Sequence, residues 1–144
     1  MDQGYQLSDE IPSAEDYLRL RRVTGLSPKS ADGAAIGLPR SVFGVVVRNG
    51  GGEVVGMGRI VGDGGLMLQV IDIAVEPSHQ GRGLGKAIMA RIARFLEENL
   101  PDGAYVSLIA DGEAHRLYSQ FGFRPTAPDS IGMARFIRPL PRTP

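Results

Sequence analysis

Residues Gln80-Gly81-Arg82-Gly83-Leu84-Gly85-Lys86 combine three glycines in five positions with a guanidinium and an ammonium, a spacing suited to holding an anion. Where a glycine-rich turn opens a helix, the first N–H groups point outward without side chains to cover them, and the helix dipole adds partial positive charge. That combination is an anion site. Arg82 and Lys86 bring full charges beside it, so a phosphorylated ligand, and a pyrophosphate in particular, is the expected guest. Two common phosphate loops do not match. A Walker A loop needs Gly at the position of Gln80 and Ser or Thr at Ala87, and a dinucleotide fingerprint starting at Gly81 needs Gly at Lys86.

A strand must deliver the chain to this loop and a helix must leave it. Ile71, Ile73 and Val75 alternate with Asp72 and Ala74, which predicts an extended segment with one oily face, and Pro77 stops its ladder. Beyond the loop, Leu84, Ile88, Ile92, Phe95 and Leu96 fall on one helical stripe, with Lys86, Arg94, Glu97 and Glu98 off it. Met89 lies beside the stripe as core filling, and Asn99 and Pro101 mark the stop.

Upstream, Tyr5 to Ser8 predicts a short strand, and Ser13 with Asp16 three residues on predicts the N-cap of a helix ending at Gly25. Ser27 to Gly37 predicts a loop holding one short helix. Val42–Arg48 and Val54–Val61 form a hairpin about Asn49-Gly50-Gly51-Gly52, and Asp63-Gly64-Gly65 turns into a central strand over Leu66–Val75. Gly56 and Gly58 clear one face of the second strand, either for close helix packing or a bulge, or to make room for a ligand. Downstream, Tyr105–Ile109 is expected to run parallel to the central strand, because a helix intervenes. A helix over Asp111–Phe121 with Gly122 at C′, a short strand at Phe123-Arg124 and a closing strand over Gly132–Ile137 complete the reading.

The 144 residues, 42% apolar, suffice for one domain over residues 1–138, with a proline-rich tail over 139–144. Sixteen basic residues balance sixteen acidic ones, so no global field draws the chain to nucleic acid or an anionic membrane. The absence of cysteine excludes disulfides, thiolate metal sites and a cysteine nucleophile, and agrees with a cytoplasmic location. No stretch approaches the roughly 20 apolar residues of a membrane span, and the N-terminus shows no leader pattern. His79 and His115 lie far apart without paired ligands, so no metal is expected.

Gln80, Gly83 and Gly85 after the strand I-A-V form Q-x-x-G-x-G, which resembles the acetyl-CoA motif of the GNAT (Gcn5-related) superfamily of N-acetyltransferases. A second stretch, D-G-E-A-H-R-L-Y-S-Q-F-G-F over Asp111–Phe123, resembles that family's A-x-x-L-Y-x-x-x-G-F signature. The two occur in the family's order, one helix and one strand apart, and the likeness spans Val42 to Ile137. It implies an α/β fold of α+β type: a mixed, mostly antiparallel central sheet flanked by helices, with a splayed parallel strand pair at the acetyl-CoA site.

The resemblance also implies residue roles. Amides from Gln80, Gly81, Arg82, Gly83, Leu84, Gly85 and Lys86 would hold the coenzyme's pyrophosphate, and Ile73, Ala74 and Val75 would hydrogen-bond its pantetheine arm as a sheet binds a strand. Tyr118 would lie near the sulfur as general acid, and a Val75 N–H would stabilise the oxyanion when a primary amine attacks the thioester directly, through a tetrahedral intermediate. Asp111 stands where the family often has a pantetheine-binding Asn; it can accept a hydrogen bond but not donate an amide N–H, and its alternative is to cap the helix. For the base, Asp72 is the first candidate, with a structural carboxylate as its alternative; Gln69 occupies the position of the family's frequent glutamate and cannot take a proton. Asp111, Asp129 and His115 follow. The expected acceptor is a small-molecule amine, with Asp63, Asp72 and Asp129 favouring a cationic one. Homodimers are frequent in such proteins, though no residue specifies one. The alternative function is a non-catalytic module that senses acetyl-CoA or CoA without a competent base.

Overall fold

The computed structural model describes residues 4–142; the first three residues of the expected domain and the last two of the expected tail lie outside the described residues. Among the described residues the α-helices and strands follow in the order β1 (Gln6–Ser8), α1 (Ala14–Val23), α2 (Ala31–Gly37), β2 (Phe43–Arg48), β3 (Val54–Gly62), β4 (Met67–Val75), α3 (Leu84–Asn99), β5 (Tyr105–Ser107) and α4 (His115–Ser119). The strands form one sheet in sequence order. The first three pairings are antiparallel and β4–β5 is parallel, as a helical crossover requires.

Local chemistry sets the boundaries. Ser13 accepts the Asp16 N–H at 3.2 Å and begins α1, and Gly25 ends it at φ +78° while the Leu26 N–H reaches back to the Arg21 carbonyl at 3.0 Å. In the turn before β4, Asp63 Oδ1 accepts the N–H groups of Gly65, Leu66 and Met67 at 2.7–3.2 Å. Both faces of the sheet are covered. Leu84, Ile88, Met89 and Ile92 of α3 pack on Val45, Val47, Val55 and Ile60 on one side. Tyr17, Leu20, Ala34 and Leu38 pack on Val46, Met57 and Ala74 on the other.

Gly58 decides how closely α3 approaches. A Cβ built there would lie 2.6 Å from Ile73 Cδ1, 2.8 Å from Ile88 Cγ2 and 3.0 Å from Ile92 Cδ1. Gly56 is similarly crowded, 3.3 Å from Ile88 Cδ1. Of the two readings left open for these glycines, the one observed is close helix packing, joined at Gly58 by a bulge in the facing strand, and neither glycine lines the cleft beside β4. Gly58→Ala is therefore expected to destabilise the fold by about 1–3 kcal/mol through overpacking, read as a lower denaturation midpoint with an unchanged m-value.

The alternation expected along the central strand is broken once. Arg59 pairs with Ile71 and Met57 with Ala74, so Gly58 faces the two residues Asp72 and Ile73, a β-bulge in which Asp72 takes φ +59°. The extra residue flips the strand. Ile73 packs in the cluster under α3, while Ile71 lies beside Arg59 on the α1 face, so these two isoleucines do not share a side.

The C-terminal third departs furthest from expectation. The expected strand to Ile109 ends at Ser107, and the helix expected over Asp111–Phe121 is the short α4, begun by turns at Ala114 and Arg116. No side-chain cap bond opens α4, so Asp111 does not cap it, and Gly122, at φ +89°, follows one position later than C′. Neither Phe123-Arg124 nor Gly132–Ile137 forms a strand. Pro125 and Pro128 remove ladder donors, the Ser130 N–H bonds back to the Thr126 carbonyl at 3.1 Å, and Ile131, Met133, Phe136 and Ile137 stay exposed. A strand there would have no buried face to hold it.

Candidate active site

The β4–β5 ladder pairs Met67 with Tyr105, Leu68 with Val106 and Gln69 with Ser107, and then stops. β4 runs on to Val75 while the chain after β5 turns away, so the two strands part and a cleft of about 720 Å³ opens between them. Its walls are β4 from Gln69 to Ile73, Leu108 and Ile109 after β5, Tyr118 on α4, and α1 with its following loop.

Beyond the residues that line the cleft, the end of β4 has an unpaired outer edge. The Glu76 N–H bonds the Val55 carbonyl at 2.8 Å, which makes the Gly56–Val75 pair one that exchanges no ladder bonds; Val75 therefore turns its own N–H and C=O away from β3, toward the gap. The Val75 carbonyl is met by the side-chain amide of Gln80 at 3.0 Å, tying the loop to the strand end. A 3-10 turn over Pro77–His79 and then Gly81 and Gly83, at φ +79° and +78°, bend the chain into α3. A Cβ built at Gly81 would meet nothing within 4 Å, so it is conformation and not crowding that calls for Gly there. Gly83 is the N-cap and supplies no side-chain cap bond, leaving the first α3 amides facing outward. Gln80 to Gly83 and Lys86 are exposed, whereas Leu84 is buried and anchors the helix start.

Tyr118 lines the cleft half-buried, and among the described residues no hydrogen bond reaches its hydroxyl. Burial pushes its phenol above the usual range, and the nearby Asp111 carboxylate adds to this. It stays protonated at neutral pH.

Asp72 is differently placed. Its side chain is 5% exposed, one oxygen pairs with Arg21, and the other accepts Arg59 Nε at 2.8 Å and the Tyr17 hydroxyl at 3.1 Å. Arg21 also donates to the Ser27 carbonyl from Nε at 2.9 Å and Nη2 at 2.7 Å, and Arg59 Nη1 donates to Ser41 Oγ at 2.9 Å. Both guanidiniums lie over the Tyr17 ring, 5.8 and 5.4 Å from its centroid. Burial raises the Tyr17 phenol, and the Asp72 charge raises it further. Both carboxylate oxygens of Asp72 are thus taken up by three donors, two of them guanidinium groups.

The other expected site residues scatter. Asp111 lines the cleft beside Tyr118 and Gln69 lies on its β4 wall. Asp129 and His115 are exposed and line no part of it, and Asp63 is held in its turn, its carboxyl below the usual range through the backbone N–H groups of Gly65, Leu66 and Met67. Among the described residues no cluster of His, Cys, Asp and Glu could hold a metal, and no helix is long and apolar enough to cross a membrane. Sequence reasoning missed Tyr17, Arg21 and Arg59. The signals were present: Arg21 falls four residues after Tyr17 on the apolar stripe of α1, and Arg59 interrupts the apolar run of β3.

Comparisons with known proteins agree with this geometry. Residues 39–125 match the family model for the acetyltransferase (GNAT) domain. The chain is 43% identical to a protein of unknown function from meticillin-resistant Staphylococcus aureus, described as a probable acetyltransferase, with a TM-score of 0.87 over 92% of this chain and 99% of that one. A GNAT-family acetyltransferase from Streptococcus pneumoniae is 26% identical with a TM-score of 0.73, over 93% and 98% of the two chains. The chloroplastic GCN5-related N-acetyltransferase 2 of Arabidopsis thaliana is 34% identical over 71 residues, 49% of this chain. The chain spans 27–30% of the length of the curated relatives it matches first.

Proposed function

Because this chain belongs to the GNAT acetyltransferase family, we propose that it moves the acetyl group of acetyl-CoA to the nitrogen of a primary amine on a small molecule. The observation that carries the reading is the parting of β4 and β5 next to a glycine turn that opens α3, with a protonated phenol on the facing wall. When bound, acetyl-CoA supplies an acetyl group activated as a thioester.

The residues divide the work. The outward amides from Gln80 to Lys86, with the charges of Arg82 and Lys86, suit a diphosphate. Ile73 to Val75 present an unpaired strand edge to an extended pantetheine arm, a case of β-augmentation. The Val75 N–H is free to donate to developing negative charge on the acyl oxygen. The amine must arrive uncharged; its nitrogen would bond the acyl carbon first, giving the tetrahedral oxyanion, and Tyr118 would give its proton to the thiolate that departs as the carbon–sulfur bond then breaks. Asp72 is assigned to positioning Arg21 and Arg59, which leaves Asp111, directly or through water, as the less encumbered acceptor of the amine proton.

Two measurements test this. Calorimetry with CoA is expected to show binding, and release of free thiol from acetyl-CoA across a panel of amines is expected to show turnover with at least one. Binding without turnover on any amine would support the sensor alternative; no binding would end both readings.

A further inference from the structure

The charge around the cleft is uneven. Arg21, Lys29, Arg59 and Arg142 line it against Asp72 and Asp111, and Asp72 is already neutralised by two of those arginines. The excess positive charge gathers at one end, formed by α1, the loop after it and β3. Asp111 lies by α4, close enough to raise the Tyr118 phenol.

The cationic end is built rather than accidental. Arg59 is held by Asp72 through Nε and by Ser41 through Nη1, and Ser41 Oγ in turn donates to the Leu38 carbonyl at 2.8 Å. Its Nη2 is engaged by neither of these two bonds, and its side chain is 11% exposed. Lys29 lies over the Phe136 ring at 5.4 Å and forms no ion pair among the described residues. Lys29 and Arg59 together flank a smaller recess of about 230 Å³ that adjoins the Tyr17 ring. A fixed guanidinium with a spare donor and an exposed ammonium nearby suit a carboxylate or phosphate.

Resting on the acetyl-transfer reading, we infer that the acceptor is an amine carrying an anionic group, carboxylate or phosphate, held by Arg59 and Lys29 while its amino end reaches toward Tyr118. This reverses the cationic acceptor expected from the sequence. The acids behind that expectation are absent from the cleft, in the case of Asp63 and Asp129, or spent, in the case of Asp72.

The test pairs amines that differ only in the anion: amino acids against their carboxamides, and phosphorylated against unphosphorylated amino sugars. The anionic member of at least one pair is expected to show roughly tenfold higher kcat/KM, lost as ionic strength rises. Which pair responds separates carboxylate from phosphate. Lys29→Gln, at an exposed position, is expected to raise KM for the anionic member several-fold and that of its neutral partner far less. Equal rates within every pair, or an equal loss for both members in Lys29→Gln, would overturn the inference while leaving acetyl transfer intact. If no amine turns over, acetyl transfer fails separately. Thermal shifts of CoA-loaded protein with phosphate and acetate then decide the anion site: stabilisation abolished by Lys29→Gln supports it, and none overturns it.

Discussion

Tyr118→Phe is expected to lower kcat by about 10²-fold while leaving coenzyme affinity unchanged, because it removes a proton donor and nothing else. The phenol has no hydrogen-bond partner among the described residues, so deleting the hydroxyl strands no other polar group. Its ring lies among the half-buried side chains packed on the main core, and phenylalanine keeps that packing. The pH profile adds a second check. Burial and the Asp111 charge raise the phenol, so in the wild-type protein any alkaline loss of rate due to Tyr118 should have its midpoint above the ordinary tyrosine value of about 10. A thiol-release assay from about pH 6 to about pH 11 with both proteins makes the comparison. An unchanged kcat in Tyr118→Phe would remove the tyrosine from the chemistry.

Asp72→Asn is expected to act on stability first. Asparagine is nearly isosteric and tolerates the positive φ that the bulge imposes, so the variant reads the lost charge rather than a changed shape. Arg21 and Arg59, with side chains 9% and 11% exposed, would then face each other without a counter-charge. Removing one partner of a buried ion network costs about 3 kcal/mol or more, equivalent to a fall in Tm on the order of 10 °C for a chain of this size. Calorimetry or thermal unfolding measures it. The same variant separates the two roles of this carboxylate: a positioning residue leaves the folded fraction with turnover that weakens mainly through KM. A general base would instead abolish kcat with little loss of Tm.

The sequence displayed the parts whose backbone chemistry is local. Ser13, Gly25, Asp63 and Gly83 each mark a boundary by a bond or dihedral within a few residues, and each boundary is found within a residue or two of the expected place. The parallel direction of β5 followed from the helix before it. What stayed hidden depends on register. A single bulge at Asp72 and Ile73 turned the strand over, so two isoleucines expected on one face lie on opposite faces. The two arginines on Asp72 come from elements 51 and 13 residues away in sequence, and neither carries a local motif. The glycines of β3 could be read either way until the α3 isoleucines were in place against them. The C-terminal segment had the alternation of a strand without a surface to bury it.

The early end of the β4–β5 ladder has a consequence for handling the protein. From Val70 onward the outer margin of β4 is an uncovered template, and β5, with three residues, is too short to shield it. Any extended chain can zip onto such a border, including a neighbouring molecule in a concentrated sample. A cosolute that fills the gap would act as a stopper, lengthening shelf life and slowing amide exchange along Ile73 to Val75 at the same time.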